Sequence, residues 1–223
     1  MSEEKSKFDT YPILYHSTMI LFSLLGGGIE VIGAENVPKD GPVLMVSNHV
    51  SYLDPCMIGD ASPRRVVFMG KAELFKNPIL NWLLRGVYGI PVKRGEPDTA
   101  AFRAVLARLK EGRLVCIFPE GTRSPNGELQ EAEAGAGVFA TRTGCPVVPV
   151  FVRGTNVALD RKGRFHRTRV SMSMGKPFIL PKSMERGAAT VELMRKIAEV
   201  RDMPPDQVGE RAILRMGWLN KPV

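Results

Sequence analysis

Cysteine is scarce in this sequence, and the three cysteines, Cys56, Cys116 and Cys145, lie far apart without CxxC or cysteine–histidine spacing. This pattern argues against a disulfide framework and against a zinc site. Carboxylates and histidines at metal-ligand spacing are also missing. We therefore expect a reduced chain on the cytoplasmic side, with no metal ion at its functional site.

A hydrophobic run long enough to cross a bilayer is missing as well. The apolar stretch YPILYHSTMILFSLL, residues 11–25, contains a histidine and hydroxyls and is shorter than the roughly 20 residues that a spanning helix needs. The N-terminus MSEEKSKFDT has mixed charge, and no small-residue cleavage site follows, so a secretory signal peptide is not expected. Residues 11–25 form either a buried helix, which the residues alone favour, or a helix lying in the membrane interface.

Acidic residues are outnumbered in this chain. There are 23 Asp and Glu against 31 Lys and Arg, which gives a formal net charge of +8 and a pI of about 9.6. The excess predicts an anionic partner, such as nucleic acid, a lipid surface, a phosphorylated substrate or an acidic carrier protein. Charge alone does not select among these, and a solvated basic face would account for it too.

The alternation of short apolar runs with helical patterns indicates the fold class. At 223 residues and 44% hydrophobic, the chain is long enough for one large domain with a buried core, and it has no internal repeat or linker. We predict a single layered α/β domain with a mostly parallel or mixed central sheet flanked by helices, plus an N-terminal apolar helix. The predicted strands cover residues 29–33, 43–48, 65–69, 89–94, 113–118, 146–152 and 168–174, and the predicted later helices cover residues 98–111, 188–202 and 206–216.

Polar residues that could take part in catalysis follow the predicted strand at 43–48. The stretch NHVSYLDP places His49 after the strand and Asp54 directly before Pro55, a residue favoured at the start of a helix. On structural grounds alone, Asp54 would cap that helix and His49 would be a hydrogen-bonded loop residue. The functional alternative is that the carboxylate turns back to the imidazole and leaves the other ring nitrogen free to act as a base.

Two further loops carry charged residues after apolar strands. FPEGTRS, residues 118–124, has the composition of a tight turn, but a turn does not require Glu120 and Arg123. An arginine fork suits a phosphate or a carboxylate, and backbone N–H groups in a glycine turn add to anion binding. GIPVKR, residues 89–94, ends in two basic residues. These residues either face solvent at the end of a strand or lie at the same edge of the sheet as the other two loops.

Taken together, these stretches resemble the 1-acyl-sn-glycerol-3-phosphate acyltransferases, the lysophosphatidic acid acyltransferase family. The resemblance covers about residues 29–178 and rests on the NHx4D spacing of His49 and Asp54 and on FPEGTRS, with KAELF (71–75), GIPVKR (89–94) and VVPVFV (147–152) in the same order. It implies transfer of an acyl group from acyl-CoA or acyl-carrier protein to the sn-2 hydroxyl of lysophosphatidic acid, which gives phosphatidic acid. No cofactor is implied beyond the acyl donor itself.

The resemblance also implies roles for individual residues. His49 would take the hydroxyl proton as general base, a contribution of typically ~10²- to 10⁴-fold, and Asp54 would hold its ring. The substrate-binding residues that it implies are Lys93, Arg94, Glu120, Gly121, Thr122 and Arg123, with the two arginines gripping the phosphate of the acceptor. An alcohol that attacks a thioester needs no enzyme nucleophile. This agrees with the absence of a GxSxG elbow near Ser47 and Ser51.

Because the family's substrates are lipids, the resemblance predicts a membrane-interface helix at residues 1–28 and an acyltransferase domain at residues 29–223. It places the protein at the cytoplasmic face of the cell membrane, peripheral or monotopic, in contact with an anionic membrane surface and not with nucleic acid. Candidate headgroup contacts are Lys5, Lys7, Arg64, Arg65, Lys71, Lys76 and the basic residues of 161–169.

One segment departs from the family's pattern. Where many members carry a basic FKxG sequence, this chain has EAEAGAG at residues 131–137. One alternative is therefore an acyltransferase for another lysolipid or for an aminolipid. The other is a non-enzymatic basic module that binds lipid or nucleic acid and uses NHx4D only as a turn.

Overall fold

The computed structural model describes residues 9–26, 28–93, 98–133 and 135–214. Within them the chain forms one mixed eight-stranded sheet with helices on both faces, which confirms the predicted fold class. The strands are β1 (Ile29–Ile32), β2 (Val43–Ser47), β3 (Val66–Lys71), β4 (Ile90–Val92), β5 (Leu114–Ile117), β6 (Val147–Arg153), β7 (Val170–Met174) and β8 (Arg211–Leu214). The helices are α1 (Tyr11–Gly26), α2 (Asp54–Ala61), α3 (Pro78–Gly86), α4 (Thr99–Lys110), α5 (Gly137–Thr143), α6 (Thr155–Ala158), α7 (Arg186–Asp202) and α8 (Pro205–Val208), with 3-10 turns at Ala34–Asn36 and Ala72–Lys76.

The strand order explains where a site can form. The sheet runs β4-β3-β5-β2-β6-β7-β1-β8, and the first five of these strands are parallel to one another. Strand β7 is antiparallel to β6, and β8 is antiparallel to β1. The carboxyl ends of five adjacent strands therefore meet at one edge, which is where open α/β sheets bind ligands.

Both faces of the sheet are buried, which is why its central strands are apolar without alternation. In β2, Val43 and Met45 pack in a cluster with α1 and α2, whereas Leu44 and Val46 pack on the opposite face with α4, α5 and α7. All of these side chains are fully buried. The sheet thus provides a rigid base for the loops that leave its carboxyl edge.

The helix predicted at 98–111 is confirmed as α4. The Asp98 carboxylate accepts a hydrogen bond from the N–H of Ala101, and the apolar stripe buries Val105 and Leu109. Gly112 follows the helix in the left-handed region, with φ 76°, where glycine stops a helix at little steric cost. The second predicted helix, at 188–202, is confirmed as α7.

The third predicted helix, at 206–216, is wrong over its described residues. Helix α8 ends after one turn at Val208, and Arg211–Leu214 form the edge strand β8 instead. Gly209 takes a fully extended conformation, and the N–H of Gly33 donates to the carbonyl of Glu210, so the chain is drawn alongside β1. Residues 215 and 216 lie outside the described residues.

Helix α1 has two different sides. Met19 and Phe22 are buried in the core cluster next to α2, whereas Ile13 and Leu24 are exposed. Among the helices that the structure describes, none has the length and apolar character needed to cross a membrane. The division into a membrane-interface helix at 1–28 and a domain at 29–223 stays a prediction.

Candidate active site

Three loops at the carboxyl edge of the sheet bring the predicted residues together. His49 follows β2, the FPEGTRS loop follows β5, and Lys93 follows β4. Because β2 and β5 are hydrogen-bonded neighbours, the two motif loops leave the sheet side by side. His49 and Glu120, which are 71 positions apart in the sequence, are thereby brought to hydrogen-bonding distance.

The Asp54 carboxylate turns back to the loop that precedes it rather than capping α2. Its Oδ2 atom lies 2.8 Å from His49 Nδ1 and also accepts hydrogen bonds from the N–H groups of Val50 and Ser51, at 2.7 and 2.8 Å. Asp54 is fully buried. The carboxylate therefore fixes both the loop and the imidazole. It binds the ring through Nδ1 and does not engage the other ring nitrogen, Nε2.

Further residues hold this pair, and their contacts were not predicted from the sequence. The hydroxyl of Thr155, at the start of α6, donates a hydrogen bond to Asp54 Oδ1. Asn48 accepts from the N–H of Val152 and donates to its carbonyl, at 2.8 and 3.0 Å, which ties the end of β2 to β6. Gly154 makes the turn into α6 at φ 82°, where a Cβ would collide with the carbonyl oxygen of Arg169. A polar residue just after a neighbouring strand was the only signal for Thr155.

The two motif loops are connected at several atoms. The His49 N–H donates to Glu120 Oε1 at 3.1 Å, and the Ser124 N–H donates to the His49 carbonyl at 2.7 Å. The imidazole stacks on the ring of Phe118, with centroids 4.1 Å apart and an interplanar angle of 19°. His49 is thus held through its backbone, its ring face and its Nδ1 atom.

Glu120 lies behind the site rather than on its surface. The side chain is 4% exposed, its Oε2 atom has no hydrogen-bond partner among the described residues, and it is not among the residues that line the cavity. Burial raises the pKa of this carboxyl from its ordinary 4.5 to about 7, against the opposing effect of the hydrogen bond from the His49 N–H. This placement suits a residue that supports His49, and the predicted role in shaping the acceptor pocket stays a prediction.

A cavity of about 950 Å³ opens at this edge. His49 lines it, together with the predicted substrate-binding residues Gly121, Thr122, Arg123 and Lys93. Apolar side chains line much of the remainder, for example Leu14, Phe68, Leu83, Leu84 and Phe139, and the acidic residues Asp60, Asp98 and Glu133 line it too. The cavity therefore combines a base, cations and an apolar volume large enough for part of a lipid.

Lys71 also lines this cavity, although the sequence analysis assigned it to headgroup contact. It ends β3 and pairs in register with Val92 of β4, the residue directly before Lys93, at the carboxyl edge. The end of a parallel strand was the signal that could have indicated it. Arg94, the other predicted phosphate ligand, lies outside the described residues.

Side chains that could act as nucleophiles are poorly placed. Ser47 and Ser51 are fully buried, the Ser47 hydroxyl donates to the Asn48 carbonyl, and the Ser51 hydroxyl accepts from the N–H of Leu53. Cys56 lines the cavity, but burial raises the pKa of its thiol to about 12, so it is protonated at neutral pH. In the described part of the chain, no group of three His, Cys, Asp or Glu could hold a metal ion.

Two of the predicted headgroup contacts are engaged within the protein. The Arg64 guanidinium donates to the carbonyls of Pro38, Gly41 and Gly112, which lie at the amino edge of the sheet, away from His49. Arg65 pairs with Asp9 at 2.8 Å. Lys5 and Lys7 lie outside the described residues.

Comparison with known proteins places this site in a family context. The family described as Acyltransferase matches residues 28–153, which include both motif loops. A 1-acyl-sn-glycerol-3-phosphate acyltransferase of Bacillus subtilis is 28% identical over 199 residues, which are 86% of this chain and 97% of that protein. The chloroplastic 1-acyl-sn-glycerol-3-phosphate acyltransferase LPAT1 of Arabidopsis thaliana is 32% identical over 180 residues, but these cover 78% of this chain and only 49% of the plant protein.

A solved structure agrees with the fold. The crystal structure of the 1-acyl-sn-glycerophosphate (LPA) acyltransferase PlsC from Thermotoga maritima superposes with a TM-score of 0.70 at 30% identity. The match covers 86% of this chain and 80% of that one. The likeness therefore extends over most of the chain.

Proposed function

This chain belongs to the acyltransferase family that includes the 1-acyl-sn-glycerol-3-phosphate acyltransferases, and from that premise we propose that it acylates the sn-2 hydroxyl of 1-acyl-sn-glycerol-3-phosphate. The family predicted from NHx4D and FPEGTRS is confirmed, and the chain is an enzyme rather than a non-enzymatic binding module. The product of the proposed reaction is phosphatidic acid.

The observation that supports the proposal most is the pairing of His49 with a buried carboxylate. With Nδ1 held 2.8 Å from Asp54 Oδ2, Nε2 is the nitrogen available to take the proton of the acceptor hydroxyl. The buried negative charge of Asp54 would stabilise the imidazolium that forms. His49 lines the cavity, so an acceptor bound there can approach the ring.

The remaining steps follow from thioester chemistry. The acceptor oxygen attacks the carbonyl carbon of the acyl thioester as His49 removes the hydroxyl proton. The tetrahedral intermediate then collapses, the C–S bond breaks, and the proton on His49 passes to the leaving thiolate. This route forms no acyl-enzyme, in agreement with the burial of Ser47 and Ser51 and the protonated state of Cys56.

The acceptor's phosphate would bind to the cations of the cavity. Arg123, Lys93 and Lys71 line the same cavity as His49. Within the described residues none of these three forms a salt bridge with a carboxylate. The backbone N–H of Lys93 donates to the carboxylate of Asp98, which also lines the cavity, so Arg123 and Lys71 are the stronger candidates. Gly121 and Thr122, which precede Arg123 on the same loop, line the cavity as well, and Arg94 stays a candidate on sequence grounds.

The acyl donor would be acyl-CoA or acyl-carrier protein, with no further cofactor. The apolar part of the cavity, between α1, α3 and β3, is the place for an acyl chain. Both donors present the same thioester at the end of the same pantetheine arm, so the chemistry at His49 is identical for the two.

A membrane surface is the proposed source of the lipid substrates. Helix α1 contacts α3, and the hydroxyl of Thr10, directly before α1, donates to the Leu83 carbonyl of α3 at 2.8 Å. On these adjacent helices Leu24 and Ile79 are 71% and 68% exposed, and Trp82 is exposed as well. Exposed apolar side chains near cations are typical of surfaces that rest in the headgroup region of anionic bilayers.

An acceptor with a different headgroup is the second candidate. Glu133, from the acidic segment 131–137, lines the cavity and stands so close to Gly121 that a Cβ on that glycine would collide with the Glu133 carboxylate. An acidic group beside the phosphate-binding loop favours an acceptor that also carries a positive charge.

A product-identified acyl-transfer assay tests the proposal and distinguishes the acceptors. The purified chain is supplied in separate reactions with labelled acyl-CoA or acyl-carrier protein, and with lysophosphatidate, lysophosphatidylethanolamine or monoacylglycerol. We expect phosphatidic acid as the main product, with lower rates for the acceptor without phosphate. A preference for lysophosphatidylethanolamine, abolished by Glu133→Gln, would favour the second candidate. Equal rates with monoacylglycerol would overturn the phosphate assignment.

A further inference from the structure

Arg123 rests on an aromatic ring contributed by the other motif loop. Its guanidinium carbon lies 3.5 Å from the centroid of the Tyr52 ring, well inside the roughly 6 Å within which a cation is attracted to a ring face. Tyr52 is one of the four residues between His49 and Asp54, and both Tyr52 and Arg123 line the cavity. We propose that Tyr52 is a positioning residue that holds Arg123 for the acceptor's phosphate, an inference that rests on the proposed function.

The chemistry of the pair suits this role. A guanidinium stacked on a ring keeps its N–H groups in its own plane, so they stay free to bind phosphate oxygens. A carboxylate partner would hold the arginine as firmly, but it would compete with the phosphate for those N–H groups. The negative face of an aromatic ring orients the cation without neutralising it.

Tyr52 has no comparable role in the stability of the fold. Its side chain is 64% exposed, whereas its neighbours Val50, Ser51 and Leu53 are buried. The backbone around it is fixed, because Asp54 Oδ2 accepts from the N–H groups of Val50 and Ser51. The ring is therefore carried at a defined place on the same turn that carries His49.

This arrangement links the phosphate ligand to the base. The His49 backbone, the Asp54 carboxylate and the Tyr52 ring belong to one fixed turn, and Arg123 rests on that turn. The distance between the bound phosphate and His49 Nε2 is thus set by a single rigid segment. Loss of the ring would let the Arg123 side chain rotate away while His49 stays in place, so acceptor binding would weaken more than turnover.

Steady-state kinetics with saturating acyl donor and variable lysophosphatidate test the proposal. We expect Tyr52→Leu to raise the KM for lysophosphatidate about 3- to 10-fold, the range that a cation–π contact of this kind supports, with kcat within about twofold of wild type. Tyr52→Phe and Tyr52→Trp keep a ring and should restore the wild-type KM. Tyr88→Leu is the matched control, because Tyr88 also stacks on arginines, Arg108 and Arg113, but does not line the cavity.

A double-mutant cycle with Arg123→Ala separates this inference from the proposed function. If Arg123 binds the phosphate, Arg123→Ala alone raises the KM for lysophosphatidate and leaves monoacylglycerol unaffected. If Tyr52 acts through Arg123, Tyr52→Leu has no further effect in the Arg123→Ala background. A full additional effect of Tyr52→Leu in that background would overturn the Tyr52 proposal. The proposal would also be overturned if Tyr52→Leu lowered kcat without changing the KM for lysophosphatidate. The same holds if Tyr52→Leu reduced binding to vesicles and left this KM unchanged.

Discussion

The backbone N–H of His49 donates to the buried carboxylate of Glu120, which follows the neighbouring strand of the sheet. In return, the His49 carbonyl accepts from the N–H of Ser124 on the same loop. The histidine is therefore held both by its own motif and by residues more than 70 positions away. The candidate base and the loop that carries Arg123 belong to one connected structure.

Glu120 should make the stability of the protein depend on pH. Burial raises the pKa of its carboxyl to about 7, above the ordinary 4.5. Between these values the folded chain holds a proton that the unfolded chain has lost, so the free energy of unfolding decreases as the pH rises through this window. Glu120→Gln should remove this contribution. Thermal unfolding of both proteins from pH 4.5 to 8 should show the variant gaining stability relative to wild type as the pH rises, and parallel curves would contradict the assignment.

Asp54→Ala should destabilise the fold as well as abolish turnover. The carboxylate accepts hydrogen bonds from the His49 ring, from the Val50 and Ser51 N–H groups and from Thr155. Unsatisfied buried donors cost ~1–3 kcal/mol each, so we expect a loss of several kcal/mol in the free energy of unfolding. Urea denaturation measures this loss. A variant of wild-type stability would mean that the described hydrogen bonds are not formed.

Thr155→Val should have a smaller effect of the same kind. Valine matches the shape of threonine but lacks the hydroxyl that donates to Asp54 Oδ1, so we expect a loss of ~1–2 kcal/mol and a moderate decrease in kcat. Thr155→Ser is the matched control, because it keeps the hydroxyl. If the serine variant loses as much kcat as the valine variant, the hydroxyl does not support Asp54.

Removal of exposed apolar side chains should weaken membrane binding. We expect a double variant with Leu24→Ser and Ile79→Ser to sediment less with vesicles that contain phosphatidylglycerol. Val191→Ser is the control, because Val191 is 69% exposed, almost as much as Leu24, but lies on α7. If the double variant sediments as much as wild type, α1 and α3 do not form the membrane contact.

The local parts of the site were within reach of sequence reasoning. His49 and Asp54 are five residues apart, so a strand end, a short loop and a helix start at Pro55 allowed their contact as one of two alternatives, and the structure shows that contact. The short apolar runs likewise sufficed to predict the central strands. These inferences depend only on neighbours along the chain.

The long-range parts were not within reach. Thr155 contacts Asp54 across 101 residues, and Asn48 contacts Val152 across 104 residues. Both contacts exist because β6 lies next to β2, and the strand order is decided by the packing of the whole sheet. The helix predicted at 206–216 failed for a similar reason, since pairing with β1 overrides the local helical pattern of residues 211–214.

The most direct test of the account is the rate of product formation by His49→Ala, measured beside His166→Ala. His166 also pairs with an aspartate, with its Nε2 atom 3.0 Å from Asp160 Oδ2, but this pair is exposed and lies outside the cavity. We expect His49→Ala to form phosphatidic acid ~10²- to 10⁴-fold more slowly than wild type at an unchanged circular dichroism spectrum, the range typical of a lost general base. His166→Ala should stay within about twofold of wild type. A His49→Ala enzyme that turns over as fast as the His166→Ala enzyme would contradict the account.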